Sequence, residues 1–543
     1  MQSSNLRLIQ VFLAALILFV PFLGAVHLFD WDEINFAECA REMIVTKNYL
    51  RMQIDYQPFF EKPPLFIWLQ VLSMKLFGIN EFAARFPNAL AGMVTFGFLF
   101  SAGRKLVNDS FGVLWVTLYA ATWLPHFYFK TGIIDPVFNL FIFLAFYQVF
   151  CLRIQAAKWK HMLLAGLFLG LAVLTKGPVA ILVSALSFGV YIVLNRGLNG
   201  YSWKHLLGIA TVALLVTSVW FGVEWLQNGP TFIKEFLSYQ AGLFSQNIAD
   251  HEEPWYYHPI VLLIGCFPAS VFLFQYSLRK RPVVSSEPAL AWGQWMWILF
   301  WVVLILFSIV KTKIVHYSSL CYYPLTYLAA RQIFRIMQNP PSVKAGVKAL
   351  FIFLGTLWGI VLTALPLVGI YKDRLIPLIK DPFAVGNLQA DVPWNYWECI
   401  PGIIYLLAIW LIGWTWKTRF SRSLTFLMIL QVASIQYTML HFVPKIEAYS
   451  QRAAIEFYED KAGKDVYIDV VGFHSYAYLF YAKKMPVQNP GYYDREWLMH
   501  GHTDRPVYFV CKIQNADPYR KDPDLRELYE KNGFVFFTRN LSQ

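Results

Sequence analysis

The sequence predicts a polytopic α-helical membrane protein that ends in a small α/β domain, and three observations predict it. The 543 residues are 57% hydrophobic and only 15% charged, with a mean hydropathy of +0.45; a soluble chain carries roughly a quarter charged residues. Apolar segments long enough to cross about 30 Å of hydrocarbon recur along most of the length. From about residue 442 that texture gives way to short alternating segments.

Thirteen spans are read, near 8–28, 84–103, 110–129, 136–152, 162–175, 177–195, 205–226, 257–277, 294–310, 317–330, 349–370, 400–416 and 423–441. With a cytoplasmic N-terminus the inner loops are "RKLVND", "RIQAAKWKH", "RGLNGYSWK", "LRKRPVV", "RQIFRIMQNPPSVKAGVK" and "WKTRFSR". Together with Arg7 they hold eighteen Lys and Arg against two acids, Asp109 and Glu287. That asymmetry is the positive-inside bias. The formal net charge of +12 is therefore topological, and nucleic acid is not expected as a partner. An odd number of spans sends the C-terminus to the outer face. The apolar stretch behind Arg7 lacks a small-residue cleavage site and reads as an uncleaved anchor. The six cysteines show no pairing or metal spacing.

The chain thus divides into a membrane domain, 1–441, whose first outer loop is 30–83, and an outer domain, 442–543. In the latter, "KDVYIDVVGF", "RPVYFVCKI" and "GFVFFTRN" read as strands and "DLRELYEKN" as a helix. In the first outer loop Phe36, Cys39, Ala40, Met43 and Ile44 make one apolar stripe, as in a helix lying at the membrane interface.

Polar groups gather in the outer loops. In "FDWDEINFAECAREM", Asp30 and Glu33 have capping-box spacing, which leaves Asp32 in the first turn without a capping duty and held ionised by the helix N-terminus. All three acids would also serve as ordinary helix-start residues. In "FFEKPPLFIW", Glu61 and Lys62 precede two prolines that fix the backbone; Lys62 would equally suit a snorkelling lysine. Asp135 stands before Pro136, where a plain helix start is the competing reading. Lys176 lies in a tight outer turn, "LTKGPVAI". "VKTKIVHYSS" adds Lys311, Lys313, His316 and Tyr317, and "ADHEEPWYYHP" adds His251, Glu252 and Glu253 beside aromatics that fit an interfacial belt. Acids and lysines from five outer loops are what an anionic lipid headgroup requires: lysines neutralise phosphate, and a carboxylate takes a proton from an acceptor. No Walker loop, dinucleotide fingerprint, HExxH or GxSxG occurs in a credible context, so nucleotide hydrolysis and peptidase chemistry have no support. A divalent metal cation is left open, because Asp32, Glu61, Asp135 and His251 are metal-ligating types at no demanding spacing.

The segments "DWDEINFAECAREM", "FFEKPPLFIW", "INEFAARFPNALAG", "LTKGPVAI" and "PWYYHPIVLLIGCFPAS" together resemble the dolichyl-phosphate-mannose–protein mannosyltransferase superfamily, and most closely its bacterial branch, which includes the lipid A aminoarabinose transferases. The likeness runs from about residue 8 to 330 with order and spacing kept. It implies a GT-C fold of about 13 transmembrane helices with a C-terminal outer domain. It further implies an inverting glycosyltransferase in the bacterial inner membrane that moves a sugar from a polyprenyl (undecaprenyl) phosphate carrier to a lipid A-like glycolipid or a protein. Residue by residue, Asp32 matches the catalytic first-loop Asp and Glu33 the acid beside it. Glu61 and Lys62 match an E-K-P motif whose lysine contacts the carrier phosphate, while Asp135, Lys176 and Tyr317 match polar positions of the same cavity. His251, Lys313 and His316 complete the candidate substrate-binding set, with Glu61 grouped with the catalytic acids. The chain departs from the aminoarabinose pattern at Asn35 and Phe36, where an Arg-Tyr pair is expected, and at Leu243, where an arginine is.

Two other classes compete with the enzyme. A lipid-linked-sugar flippase would also line a cavity with charge, but transporters place it near the bilayer midplane, whereas here it gathers at one face. A non-catalytic envelope scaffold would not require Asp32, Lys62 and Lys176 together.

Overall fold

The computed structural model describes residues 2–245, 253–275, 288–338, 343–416, 418–487 and 489–539. Among these, eight helices are long and apolar enough to cross a membrane: Glu81–Leu106, Asp135–Ile154, Lys158–Lys176, Trp203–Asn228, Pro288–Ile309, Ala345–Ile370, Tyr396–Thr415 and Phe420–Ser450. The other five predicted spans are also helical but shorter or broken. The segment near 257–277, for example, splits into Tyr257–Gly265 and Ala269–Leu273 around Pro268. Polar caps set several starts: the Asn80 side chain accepts from Ala83 N, Asn108 from Phe111 N and Ser202 from His205 N, meeting amides that a helix start leaves without partners.

Lipid tails are as apolar as leucine, so close van der Waals approach, rather than water exclusion, holds such helices together. Gly166 and Gly170, a small-xxx-small pair, provide it against Trp203–Asn228. A Cβ at either glycine would come within 2.6 Å and 2.7 Å of Val212 and Val216 respectively. Aromatic stacking fills the centre of the bundle, as for Phe143 on Tyr323 at 4.3 Å and Tyr191 on Trp295 at 4.4 Å.

Between the first apolar helix and Leu65–Phe77 lie helix Asp32–Thr46 and a tight hairpin, β1 (Gln53–Ile54) with β2 (Gln57–Pro58). The expected interfacial helix is not half-exposed: every residue from Glu33 to Met43 is buried. Its polar side lies against the C-terminal residues, and its charged groups find partners nearby, save Glu42 Oε1, which has none. Arg41 donates to Glu38 at 2.7 and 2.6 Å and to the Tyr56 hydroxyl at 3.3 Å. Tyr56 in turn donates to the Lys484 carbonyl at 2.6 Å, and Lys484 pairs with Asp55. Burial, reinforced by Glu38, raises the pKa of Glu42 to about 9. The apolar stripe was correctly read, but charges paired across the other face allow burial on all sides.

The C-terminal residues form a four-stranded sheet of β3 (Tyr467–Val471), β4 (Val507–Lys512), β5 (Arg526–Lys531) and β6 (Phe534–Arg539), in the order β3-β4-β6-β5. β3 and β4 are parallel; the other pairs are antiparallel. β5 overturns the helix expected in "DLRELYEKN". All its residues are exposed, and it is an edge strand blunted by charge. Asn532 (φ 52°) and Gly533 (φ 81°) make the two-residue turn that joins it to β6. Asn-Gly is a strong hairpin signal, and it outweighs the helix propensity of Glu, Leu and Lys.

Candidate active site

Segments from the ends of several helices meet around a cavity of ≈ 940 Å³ lined by Asp30, Trp31, Asp32, Glu33, Glu61, Lys62, Asp135, Lys176, Tyr239, His316 and Tyr317, with apolar residues behind them. Eight of the ten predicted site residues are therefore brought together. Lys313 is not among the lining residues; it is buried, and its ammonium donates to the Lys311 carbonyl at 3.4 Å. His251 and its neighbour Glu252 lie outside the described residues.

The opening acids divide differently from the capping-box expectation. The helix starts at Asp32 with Trp31 at its cap position and no side-chain cap. Glu33 does fold back, accepting from the Phe29 amide at 2.9 Å. Its main partner is Arg85, at 2.9 and 2.8 Å, and the Gly132 amide also donates to it. Arg85 directs its remaining N–H groups to the carbonyls of Leu23, Val26 and His27 at 2.7–2.9 Å, so all five donors of the guanidinium fork are engaged. The lowered pKa of Glu33 reflects Arg85 and the two amides overcoming its burial. Asp30 turns to the C-terminal residues instead. It opens to the cavity on one side and is otherwise enclosed, which pushes its pKa up to about 6 against hydrogen bonds from Ser475 and Tyr476 and the charge of Lys512.

That leaves Asp32 as a carboxylate about 30% exposed, with His316 Nε2 at 3.4 Å. The same nitrogen is 3.7 Å from Asp135. Burial lowers the His316 pKa although both acids oppose it, so the ring is a neutral hydrogen-bonding group at pH 7. Asp135, the first residue of its helix, performs no capping; it binds Lys176 at 2.6 Å. Lys176 can reach it because the chain turns at Gly177 (φ 91°), where any Cβ would meet the Phe236 ring at 2.5 Å. Lys62 lies 3.9 Å from Glu61 and 5.1 Å above the Tyr239 ring. Its pKa is lowered by burial, with Glu61 and Asp32 opposing. The Tyr239 hydroxyl and the Gln240 amide hold Glu61 at 3.0 and 3.2 Å. Asp32, Glu61 and Asp135 do not converge as metal ligands; among the described residues His500, Asp522 and Asp524 do so, on the surface far along the chain.

Sequence reasoning overlooked Arg85 and Tyr239. Arg85 had a signal, a charge within the apolar part of its helix well before Arg104 and Lys105 at its end, which marks a functional or anchoring role. Tyr239 had none.

The family model described as dolichyl-phosphate-mannose-protein mannosyltransferase matches residues 61–221. Curated relatives include the undecaprenyl phosphate-alpha-4-amino-4-deoxy-L-arabinose arabinosyl transferases of Enterobacter sp. (strain 638), 27% identical over 74% of this chain and 72% of its own, and of Edwardsiella ictaluri, 28% identical over 72% and 73%. The fold is shared with the crystal structure of ArnT from Cupriavidus metallidurans bound to undecaprenyl phosphate, with a TM-score of 0.78, 19% identity and 98% of both chains covered. The family-model match, the curated relatives and the shared fold together support a GT-C glycosyltransferase similar to the protein mannosyltransferases and aminoarabinose transferases.

Proposed function

We propose that the chain transfers a sugar from an undecaprenyl phosphate carrier to a lipid A-like glycolipid on the outer face of the bacterial inner membrane. The observation that carries this reading is the single cavity uniting a solvent-reachable carboxylate, Asp32, with two lysines, Lys62 and Lys176, from separate loops. In an inverting displacement Asp32 takes the proton of the acceptor hydroxyl as its oxygen bonds to the anomeric carbon. The bond from that carbon to the carrier phosphate breaks, and the electron pair leaves on the phosphate oxygen, neutralised by Lys62 and Lys176. Glu33, fully engaged by Arg85, is a positioning group in this scheme. Glu61 holds Lys62, Asp135 holds Lys176, and His316 bridges Asp32 and Asp135. Residues 442–543 form an outer domain above a membrane domain of 1–441, the former facing the periplasm and the N-terminus the cytoplasm.

The test is transfer from a purified undecaprenyl-phosphate-linked sugar to lipid A in detergent, with 4-amino-4-deoxy-L-arabinose, the sugar named for the relatives, tried first. It is paired with mass spectrometry of envelope glycolipids and glycoproteins in cells with and without the chain. A labelled glycoprotein in place of a glycolipid would redirect the acceptor; an unchanged envelope and no transfer would sink the reading. Lys62→Ala is expected to weaken carrier binding and lower turnover together, each by roughly tenfold, about 1.5 kcal/mol for a charge-assisted hydrogen bond; a fall in turnover with unaltered carrier affinity would remove the lysine from the phosphate. For orientation, in a cysteine-free background, Gln57→Cys should react with an impermeant maleimide in spheroplasts and Lys158→Cys only after permeabilisation. Equal labelling of both would overturn the assigned sidedness.

A further inference from the structure

Helices Ala345–Ile370 and Tyr396–Thr415 pack closely at glycines: a Cβ at Gly355 would come within 2.7 Å of Ile409, and one at Gly413 within 2.9 Å of Ile352. Beside that seam runs an apolar trough of ≈ 460 Å³, with Phe353, Thr356, Ile360 and Trp410 along it. It shares Ala349 and Ile352 with a hollow of ≈ 520 Å³ that is also lined by Lys344, Lys348 and Trp416. Neither has a residue in common with the catalytic cavity. Lys344, at the cap position, and Lys348 stand one turn apart at the start of a 26-residue helix that no side chain caps, so the amides of its first turn add to their positive field. Lys344 Nζ donates to the Phe274 carbonyl at 3.3 Å, which leaves two of its three donors. Among the described residues no carboxylate pairs with either lysine, and the indole N–H of Trp416, a residue only 3% exposed, has no partner.

We propose that this groove holds one anionic phospholipid of the cytoplasmic leaflet, a phosphatidylglycerol, with its phosphodiester at Lys344 and Lys348 and one acyl chain along Ile352, Thr356 and Ile360. The inference uses the sidedness proposed above and is independent of the sugar-transfer reading. Basic pockets between membrane helices on the cytoplasmic side take anionic headgroups, and here two ammonium groups and a helix N-terminus converge on one hollow. The ethanolamine of a zwitterionic lipid would bring a third ammonium to that hollow, where like charges oppose it. The twelve residues from Lys348 to Ile360 rise about 18 Å along the helix, close to the roughly 15 Å of half a hydrocarbon core, so a chain seated there stays within one leaflet. At about 30 Å³ for each heavy atom, the share of a water in the liquid, the trough takes one acyl chain rather than the eleven isoprene units of the carrier. An acyl chain is no better solvated in the trough than among other lipid tails. The headgroup therefore supplies the selectivity, and the trough fixes the direction of the chain.

The test places the full chain in phosphatidylcholine nanodiscs with a trace of phosphatidylglycerol or phosphatidylethanolamine that carries a diazirine in its acyl chain. Cross-links are mapped by peptide mass spectrometry. In the wild type the phosphatidylglycerol probe is expected to label residues 349–360 at least tenfold more than the phosphatidylethanolamine probe. Lys344→Gln combined with Lys348→Gln should abolish that excess while the melting temperature stays the same. Ala349→Trp keeps both lysines but fills the passage between hollow and trough, and it should abolish labelling of residues 353–360. Unlabelled phosphatidylglycerol should displace the probe, and undecaprenyl phosphate or inorganic phosphate at the same concentration should not. Equal labelling by the two probes, labelling unaltered in both variants, or displacement by undecaprenyl phosphate or by inorganic phosphate would each overturn the proposal. Sugar transfer does not enter the readout, so a chain that transfers no sugar strikes the catalytic reading and leaves this result standing.

Discussion

Asp32→Asn is expected to lower sugar transfer by roughly 10² or more, while undecaprenyl phosphate binds as before. The substitution keeps the shape of the side chain and its proximity to His316 at 3.4 Å but removes the carboxylate placed to accept the proton of the acceptor hydroxyl. His316 is not a ready substitute, because it is shared with Asp135 at 3.7 Å. Asp30→Asn is the natural control, since Asp30 engages Ser475 and Tyr476 and not the reacting groups; most of the turnover should survive. Wild-type transfer by the Asp32 variant, or a folded but inactive Asp30 variant, would mean that the other aspartate is the base.

The second large effect belongs to a residue that takes no part in the chemistry. Arg85→Ala should destabilise the chain by about 3–5 kcal/mol, because it strands the Glu33 carboxylate in a buried, unpaired state. It also frees the carbonyls of Leu23, Val26 and His27, so the path from the first helix into the Asp32–Thr46 helix loses its clamp. Replacing both partners together, Glu33→Gln with Arg85→Met, should recover a substantial part of that loss, as removal of a buried pair is far milder than removal of one member. Thermal unfolding followed by size-exclusion chromatography reads this directly. Single and double variants of equal stability would show that the pair is not the anchor.

The membrane class, the order of spans and most of the cavity were legible from residues. Apolar length is a strong, local signal, and Asp32, Lys62, Asp135 and Lys176 each stood out as charges at the edge of an apolar run. What failed was decided by distant partners. Asp30 had the spacing of a cap, but Ser475 and Tyr476 claim it from more than four hundred positions away. The helix Asp32–Thr46 presented an apolar stripe, and nothing local said that Lys484 and Tyr56 would close over its charged side. β5 is the exception, since Asn532-Gly533 was a local signal for the hairpin that helix propensity obscured. Tyr239 lacked any sign of its own: an ordinary polar residue becomes part of a site only through what folding sets beside it.

The bonds that join residues 30–56 to residues 475–484 also impose an order on biosynthesis. A chain still on the ribosome can insert its first spans and expose the first loop long before the residues that bury it exist. Through that interval the helix bearing Glu38, Arg41 and Glu42 remains uncovered, Asp55 lacks Lys484 and Asp30 lacks Ser475. The Asp32 helix is thus covered by residues made more than four hundred positions later, so a chain released early after Ser450 would present that helix without its cover.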